Sequence, residues 1–450
     1  MRYLKFILPL FFSLSAMAQT TIRQDAAIKQ MTDEVSSKNI ETIIRKLVSF
    51  RTRHTLGDTT SQTTGVGAAR NWIKAEYQKY AADSHGRMTV QFDTFTQPKS
   101  ERVNKPVKLK NVLAILKGTD PKDTRVYIVS GHYDSRRSDI MDPTGDEPGA
   151  NDDASGTAVS MELARVMAKR SFPATIIFMA VVGEEQGLYG STHVAKRAKA
   201  ENWNIDAVLN NDIVGNTHGM DNDLKDNIHV RVFSEGVPTV AADNQKQIAG
   251  MISLGGENDS QSRELARYIK ETAERYVDQL NVKLIYRRDR YLRGGDHIPF
   301  LQQGYSAVRL TEMNEDFNRQ HQNIRTENGI DYGDLPDFVD FNYVQKVARM
   351  NLSVLANLAL APAEPQNVGV VTSGLTNKTE LKWDAPAMGK KPAGYYVLMR
   401  ETTSPYWEQK FYVTDTRVTL NYSKDNYLFA VQSVDADGHE SLPVVPKPVR

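Results

Sequence analysis

Cysteine is absent from the 450-residue chain, which excludes disulfides, thiol nucleophiles and thiolate metal ligands together. Any metal would have to be held by imidazole, carboxylate or water. A dominant charge is also lacking: 56 Lys and Arg face 55 Asp and Glu, so no broad field favours nucleic acid or an anionic surface. Past the N-terminus there is no long apolar run, and no later segment reads as a membrane span. The apolar stretch Phe6 to Phe12 follows the basic Arg2 and Lys5 and leads to Ala16-Met17-Ala18. It falls short of the roughly 20 residues needed to span a bilayer, and reads as a cleavable secretory signal over residues 1–18. Cleavage removes two basic residues and no acidic one, taking the formal charge from +1 to −1. The mature protein is then expected to be periplasmic or extracellular.

What the chain does have is a set of metal-type side chains at strand ends. Arg125 to Ser130 is a β-branched run that delivers Gly131-His132-Tyr133-Asp134 at its carboxyl end, where open α/β sheets place ligands. A loop rich in Asp, Pro and Gly ends in Gly149-Ala150-Asn151-Asp152-Asp153-Ala154-Ser155-Gly156 and runs into the helical pattern of Thr157 to Lys169. A second apolar strand, Ala174 to Val182, ends in Gly183-Glu184-Glu185. Ala207 to Asn211 ends in Asp212, and Gly294-Gly295-Asp296-His297 opens a helix after the strand Lys283 to Arg287. His132, Asp152, Glu185, Asp212 and His297 are therefore expected to converge. Any one such acid is ordinarily a solvated loop carboxylate. Their joint placement points to metal, and five ligands suit two zincs sharing a carboxylate, about 3.5 to 4 Å apart, better than one four-coordinate zinc.

These blocks, Gly-His-Tyr-Asp-Ser, Gly-Ala-Asn-Asp-Asp-Ala-Ser-Gly, Gly-Glu-Glu-Gln-Gly-Leu-Tyr-Gly-Ser, Asn-Asp-Ile-Val-Gly and Gly-Asp-His, resemble the co-catalytic zinc aminopeptidases of the bacterial leucyl aminopeptidase and aminopeptidase Y type. The resemblance runs from about Asn39 to Pro362. It implies an α/β fold with a mixed central sheet flanked by helices, and two zinc ions per chain. One zinc would be held by His132, Asp152 and Asp212, the other by Asp152, Glu185 and His297, with Asp152 as the bridge. Glu184 would be the general base, Asp134 would orient the ligand His132, and Asp152-Asp153 would be a cis peptide. A water or hydroxide shared by the two zincs would attack the scissile carbonyl while Glu184 carries its proton to the leaving amine. The implied substrates are peptides with a free N-terminus. Where the family often has a third Asp, this chain has Asn151, at a position that is not a ligand.

Three rival readings stand beside this one. Glutaminyl-peptide cyclotransferases share the implied fold with a single zinc, and Asp296-His297-Ile298-Pro299-Phe300-Leu301 looks like them. The others are a carboxypeptidase of the same clan and a non-catalytic peptidase-like binding protein. His321 lies in a loop that the family usually brings near the cleft, where the sequence assigns it at most a substrate contact. The oligomeric state is open.

The remaining chain reads as scaffold. Ser37 to Phe50 puts Ile40, Ile43, Ile44, Leu47 and Val48 on one helical face, with Ser37 as a cap. Arg51 to Gly67 reads as a polar loop, and Ala68 to Tyr80 as a helix with Trp72 and Tyr77 in the core. Met88 to Phe95 and Val107 to Leu116 read as neighbouring strands, Gly215 to Asp226 as a solvated loop, and Ser260 to Val277 and Leu335 to Leu360 as helices. Ala361 to Pro365 reads as a linker, closing a catalytic domain over 19–362. Residues 363–450 carry short alternating strands around Trp383 and Tyr427 and resemble a fibronectin type III domain, a small all-β sandwich. That domain holds no candidate catalytic group and is expected to be an accessory.

Overall fold

The computed structural model describes residues 24–238 and 245–450, so the expected signal segment lies outside the described residues. The helices are α1 (Ala26–Asp33), α2 (Ser37–Ser49), α3 (Gly65–Ala82), α4 (Ala154–Met167), α5 (Glu184–Gly187), α6 (Tyr189–Ala200), α7 (Gln245–Ser253), α8 (Gln261–Tyr276), α9 (Ile298–Gln302) and α10 (Phe341–Leu360). The main sheet is built from β1 (Met88–Gln97), β2 (Val107–Leu116), β3 (Arg125–His132), β4 (Thr175–Val181), β5 (Asn204–Asn211), β6 (His229–Ser234), β7 (Asn281–Ile285) and β8 (Ala307–Glu312). Its order is β1-β2-β4-β3-β5-β8-β6-β7. The central strands β4, β3, β5 and β8 are parallel, and so their carboxyl ends open on one edge.

Both faces of this sheet are covered. The apolar sides of α2, α3, α4, α8 and α10 pack on one face, around Tyr77, Val129, Phe178 and Leu355. On the other, Val194 and Ala198 of α6 and Phe300 of α9 close over Ile128, Met179 and Val208. Strands buried on both sides read as continuous apolar runs rather than alternating ones, which is why β3, β4 and β5 stood out in the sequence. Ser36, not Ser37, caps α2, its side chain accepting from the Asn39 amide. Ser260 caps α8 as its place before the amphipathic run suggests. Among the described residues, no helix is long and apolar enough to cross a membrane.

The C-terminal residues form a four-stranded and a three-stranded sheet. They pack face to face around Leu381, Trp383, Val397 and Val431, with Trp383 edge-on to Tyr395 at 5.3 Å. The expected linker is not loose. Ala361, Pro362 and Ala363 are buried, and Arg125 donates to the Ala361 and Pro362 carbonyls at 2.8 and 3.2 Å. At the far end Glu440, buried, pairs with both terminal nitrogens of Arg275 on α8 at 3.0 Å and accepts from Asn357 on α10 at 3.1 Å. Burial opposes the ionised carboxyl, but Lys410 and Arg275 outweigh it and hold its pKa below the usual range.

Losing one partner of such a buried pair costs about 3–5 kcal/mol, so Glu440→Ala is expected to destabilise the folded chain by that order in chemical unfolding. Because the folded pKa is depressed, the wild-type contribution is present above the ordinary carboxylate pKa and is lost as pH falls through the lowered one. An unchanged midpoint in Glu440→Ala would show that the C-terminal unit is held to α8 and α10 by other contacts.

Candidate metal centre

The site forms where the central strands end. β3 terminates in His132, and the segment after β4 turns at Gly183, with φ +83°, to present Glu184 and Glu185. Asp212 follows β5. Asp152 precedes α4, whose N-cap Asp153 accepts from the Gly156 amide, and the Asp152-Asp153 bond is cis, as the resemblance implied. Gly131 and Gly156 let strand and helix touch here, since a Cβ on Gly131 would lie 2.3 Å from the Gly156 backbone.

Two groups of potential donor atoms result, each lying within 4.8 Å of one another: His132, Asp152 and Asp212, and then Asp152, Glu185 and His321. Asp152 belongs to both. His132 Nε2 stands 3.2 Å from Asp152 Oδ1, and His321 Nε2 stands 2.9 Å from Asp152 Oδ2 and 3.1 Å from Glu185 Oε2. The position expected for His297 is therefore filled by His321. The reason lies in topology: β7, the strand before His297, is the outermost of the sheet, whereas β8, beside β5, sends out the loop that carries His321. His297 is buried nearby with its Nε2 2.8 Å from the Arg288 carbonyl oxygen, and burial lowers its pKa.

Surrounding groups fix the donors. His132 Nδ1 donates to the Asp134 carbonyl oxygen at 3.0 Å, with Asp134 Oδ1 at 3.6 Å, which leaves Nε2 facing Asp152. Asp134 Oδ2 in turn accepts from Thr55 Oγ1 at 2.8 Å and the Glu185 amide at 3.3 Å. The segment containing Thr55, read from the sequence as a polar loop, is buried at Arg53, His54 and Thr55. The Arg53 side chain donates to the carbonyls of Tyr133, Pro148 and Gly149, tying the His132 and Asp152 loops together. Asp334 accepts from the Asn151 and Asp152 amides, at 2.8 and 2.7 Å. Arg309, buried, donates to Asp212 Oδ1 at 2.8 Å and to the Gly294 carbonyl at 2.7 Å. Arg136 Nε donates to Glu185 Oε2 at 3.0 Å. Of these, Thr55, Arg53, Arg309, Arg136 and Asp334 had no signal in the sequence beyond their closeness to the motifs or to strand ends.

The electrostatics call for a cation. Burial opposes charge throughout, yet Asp134 and Asp152 hold His132 well above the ordinary imidazole range, and Glu185 and Asp152 push His321 up to about 10. The carboxylates around both imidazoles thus favour positive charge at these positions. Burial, with Asp212, Glu185 and Asp296 adding to it, raises half-buried Glu184 well above the usual carboxylate range. Asp296, bonded to Ser191 Oγ at 2.5 Å, is raised by burial to about 7. Nitrogen and oxygen donors in two sets of three, around a shared carboxylate, fit a borderline divalent ion at each set.

A mixed sheet between helices, with His, Asp and Glu donors at the carboxyl ends of its central strands, is the zinc-exopeptidase fold. The profile described as peptidase family M28 matches residues 111–342. A probable zinc metalloprotease of Leptosphaeria maculans is 49% identical over 94% of this chain and 97% of its own. The chain belongs to peptidase family M28. Among solved structures, the LapA aminopeptidase of Legionella pneumophila superposes with a TM-score of 0.53 at 20% identity, over 80% of each chain. The glutaminyl cyclase of Macrostomum lignano does so with 0.52 at 15% identity, over 75% of this chain and 94% of that one. At such identities the likeness is one of fold.

Proposed function

We propose that the protein is an exported zinc aminopeptidase that removes N-terminal residues from peptides and holds two zinc ions, one at His132, Asp152 and Asp212 and the other at Asp152, Glu185 and His321. The observation that carries this is the pair of donor sets sharing Asp152. The name of the Leptosphaeria maculans relative supports zinc, and the Gly-Glu-Glu and Asn-Asp-Asp-Ala-Ser-Gly blocks support the aminopeptidase type. Zinc supplies Lewis acidity, polarising a scissile carbonyl and acidifying water. Glu184, whose raised pKa favours holding a proton, takes the proton of the attacking water and gives it to the leaving amine. Asp134 keeps His132 in the tautomer that leaves Nε2 available. Residues 1–18 are the export signal, and the C-terminal two-sheet unit is a fibronectin type III-like accessory.

Zinc added to the metal-free protein at pH 7 is expected to bind to about two equivalents. Proton release should accompany uptake, because His321, at about 10, has to lose a proton to ligate. No binding in a calorimetric titration would sink the reading.

A further inference from the structure

The chain as a whole is nearly balanced in charge, but the segment that leads from β7 to the metal centre is not. Tyr286 to Arg293 holds four arginines and one acid, Asp289. Asp289 is buried and committed to Arg309 and Arg290, at 3.4 and 3.2 Å. Arg290 also pairs at 2.8 Å with Glu315, which lies in the loop that carries His321 and has Arg231 at 2.8 Å as well. Arg293 is the third cation on Glu315, at 3.7 Å, and Arg288 stands 4.0 Å from Glu235. Positive charge is therefore in excess here, and Arg287 and Arg293 carry it at the exposed surface.

Buried contacts fix this segment against the metal centre. Arg309 reaches Asp289 and donates to the Gly294 carbonyl at 2.7 Å, so it holds both ends of residues 289–294, and its Nη2 is 2.8 Å from Oδ1 of the candidate ligand Asp212. Gly295 packs on the same ligand, since a Cβ there would lie 3.1 Å from Asp212 Oδ2. Between these anchors the chain turns, the Arg293 amide donating to the Arg290 carbonyl at 3.3 Å, and leaves Tyr291 and Leu292 80% and 105% exposed. The Arg287 guanidinium lies 3.7 Å from the centre of the Tyr291 ring and donates from Nη2 to its hydroxyl at 2.7 Å. Stacking holds the planar cation in one orientation. Its other donors have no partner among the described residues, and a guanidinium presents such donors in the geometry of a carboxylate.

We propose that the turn from Arg287 to Arg293 is a binding surface for carboxylates of the peptide substrate beyond its scissile bond, so that acidic residues following the first one favour cleavage. The inference rests on the peptidase reading. A peptide whose first residue lies at the donor sets must leave across their rim, and an extended chain covers about 3.3 to 3.6 Å per residue. Its second to fourth residues then span about 10 Å, the region in which the turn, two residues from Gly295, offers Arg287 and Arg293. The attraction is between exposed charges, so it acts mainly on KM and weakens with salt.

The test uses the full-length, zinc-loaded protein and peptides with a free N-terminal leucine and an amidated C-terminus, carrying Asp and Glu or Asn and Gln at the second to fourth positions. At about 20 mM salt, wild type is expected to favour the acidic peptide about fivefold in kcat/KM, mostly through KM. The ratio should fall to about one in the double variant Arg287→Gln/Arg293→Gln, and also in wild type at about 1 M salt. A purely structural role of the two arginines would lower both peptides alike and leave the ratio standing, which overturns the proposal. The neutral peptide with a free C-terminal carboxylate gives the second arm: a preference for it over its amide, lost in the double variant, with none for the acidic amide, assigns the surface to chain ends rather than side chains and overturns the preference for acidic residues. Fluorescence anisotropy of the labelled peptides separates this from the peptidase reading. If wild type binds the acidic peptide more tightly than the neutral one through these arginines yet cleaves neither, the surface stands and the peptidase reading falls. If both peptides are cleaved and bound alike, the surface falls alone, and if neither is bound or cleaved, both fall.

Discussion

His321→Ala is expected to lower the zinc content of the purified protein from about two equivalents to about one, whereas His297→Ala should leave it at about two. Both histidines sit near the centre, but only His321 places a ring nitrogen within 3.1 Å of two candidate ligand carboxylates. His297 spends its Nε2 on the Arg288 carbonyl oxygen and has Asp289 at 3.8 Å rather than Asp152. Removing its buried ring creates a cavity and should cost stability on the scale of other large-to-small core changes, roughly 2–5 kcal/mol, without emptying a metal position. Elemental analysis after dialysis, with unfolding curves alongside, decides the matter. Loss of zinc in His297→Ala and retention in His321→Ala would return the fifth ligand to the helix after Gly295.

Glu184→Gln is expected to lose turnover by about a hundredfold or more while keeping its zinc and fold. Glu184 lies outside both donor sets, yet it is next to Glu185 and its carboxyl feels Asp212 and Asp296. Glutamine preserves shape and removes the proton-carrying group, so steady-state kinetics with zinc analysis isolates its role. Near-normal turnover would place the base elsewhere. Glu185→Gln should differ by losing metal.

The elements that the sequence made legible are those whose burial pattern is strong and local. The runs of β3, β4 and β5 are apolar because helices cover both faces; His132 ends β3, and the Glu184-Glu185 pair and Asp212 follow β4 and β5. Asp152 was legible because it stands just before the cap of α4. What failed was the fifth ligand. Gly-Asp-His after an apolar strand looked like another strand-end ligand, but strand order is a non-local property, and pairing β8 with β5 rather than β7 with β5 brings His321 inward. The burial of Arg53, His54 and Thr55 was equally hidden, since polar residues are buried when distant carbonyls and carboxylates satisfy them. The anchoring of the linker was hidden for the same reason: Arg125, from β3, binds its carbonyls across more than two hundred residues.

The central claim is hydrolysis from a free N-terminus, and the most direct measurement is mass spectrometry of matched peptides incubated with the zinc-loaded full-length protein. One peptide has a free amine, one is acetylated, and one begins with glutamine. The account predicts stepwise loss of N-terminal residues from the free peptide and no change in the acetylated one. Intact free peptides, with conversion of N-terminal glutamine to pyroglutamate and loss of ammonia, would contradict it.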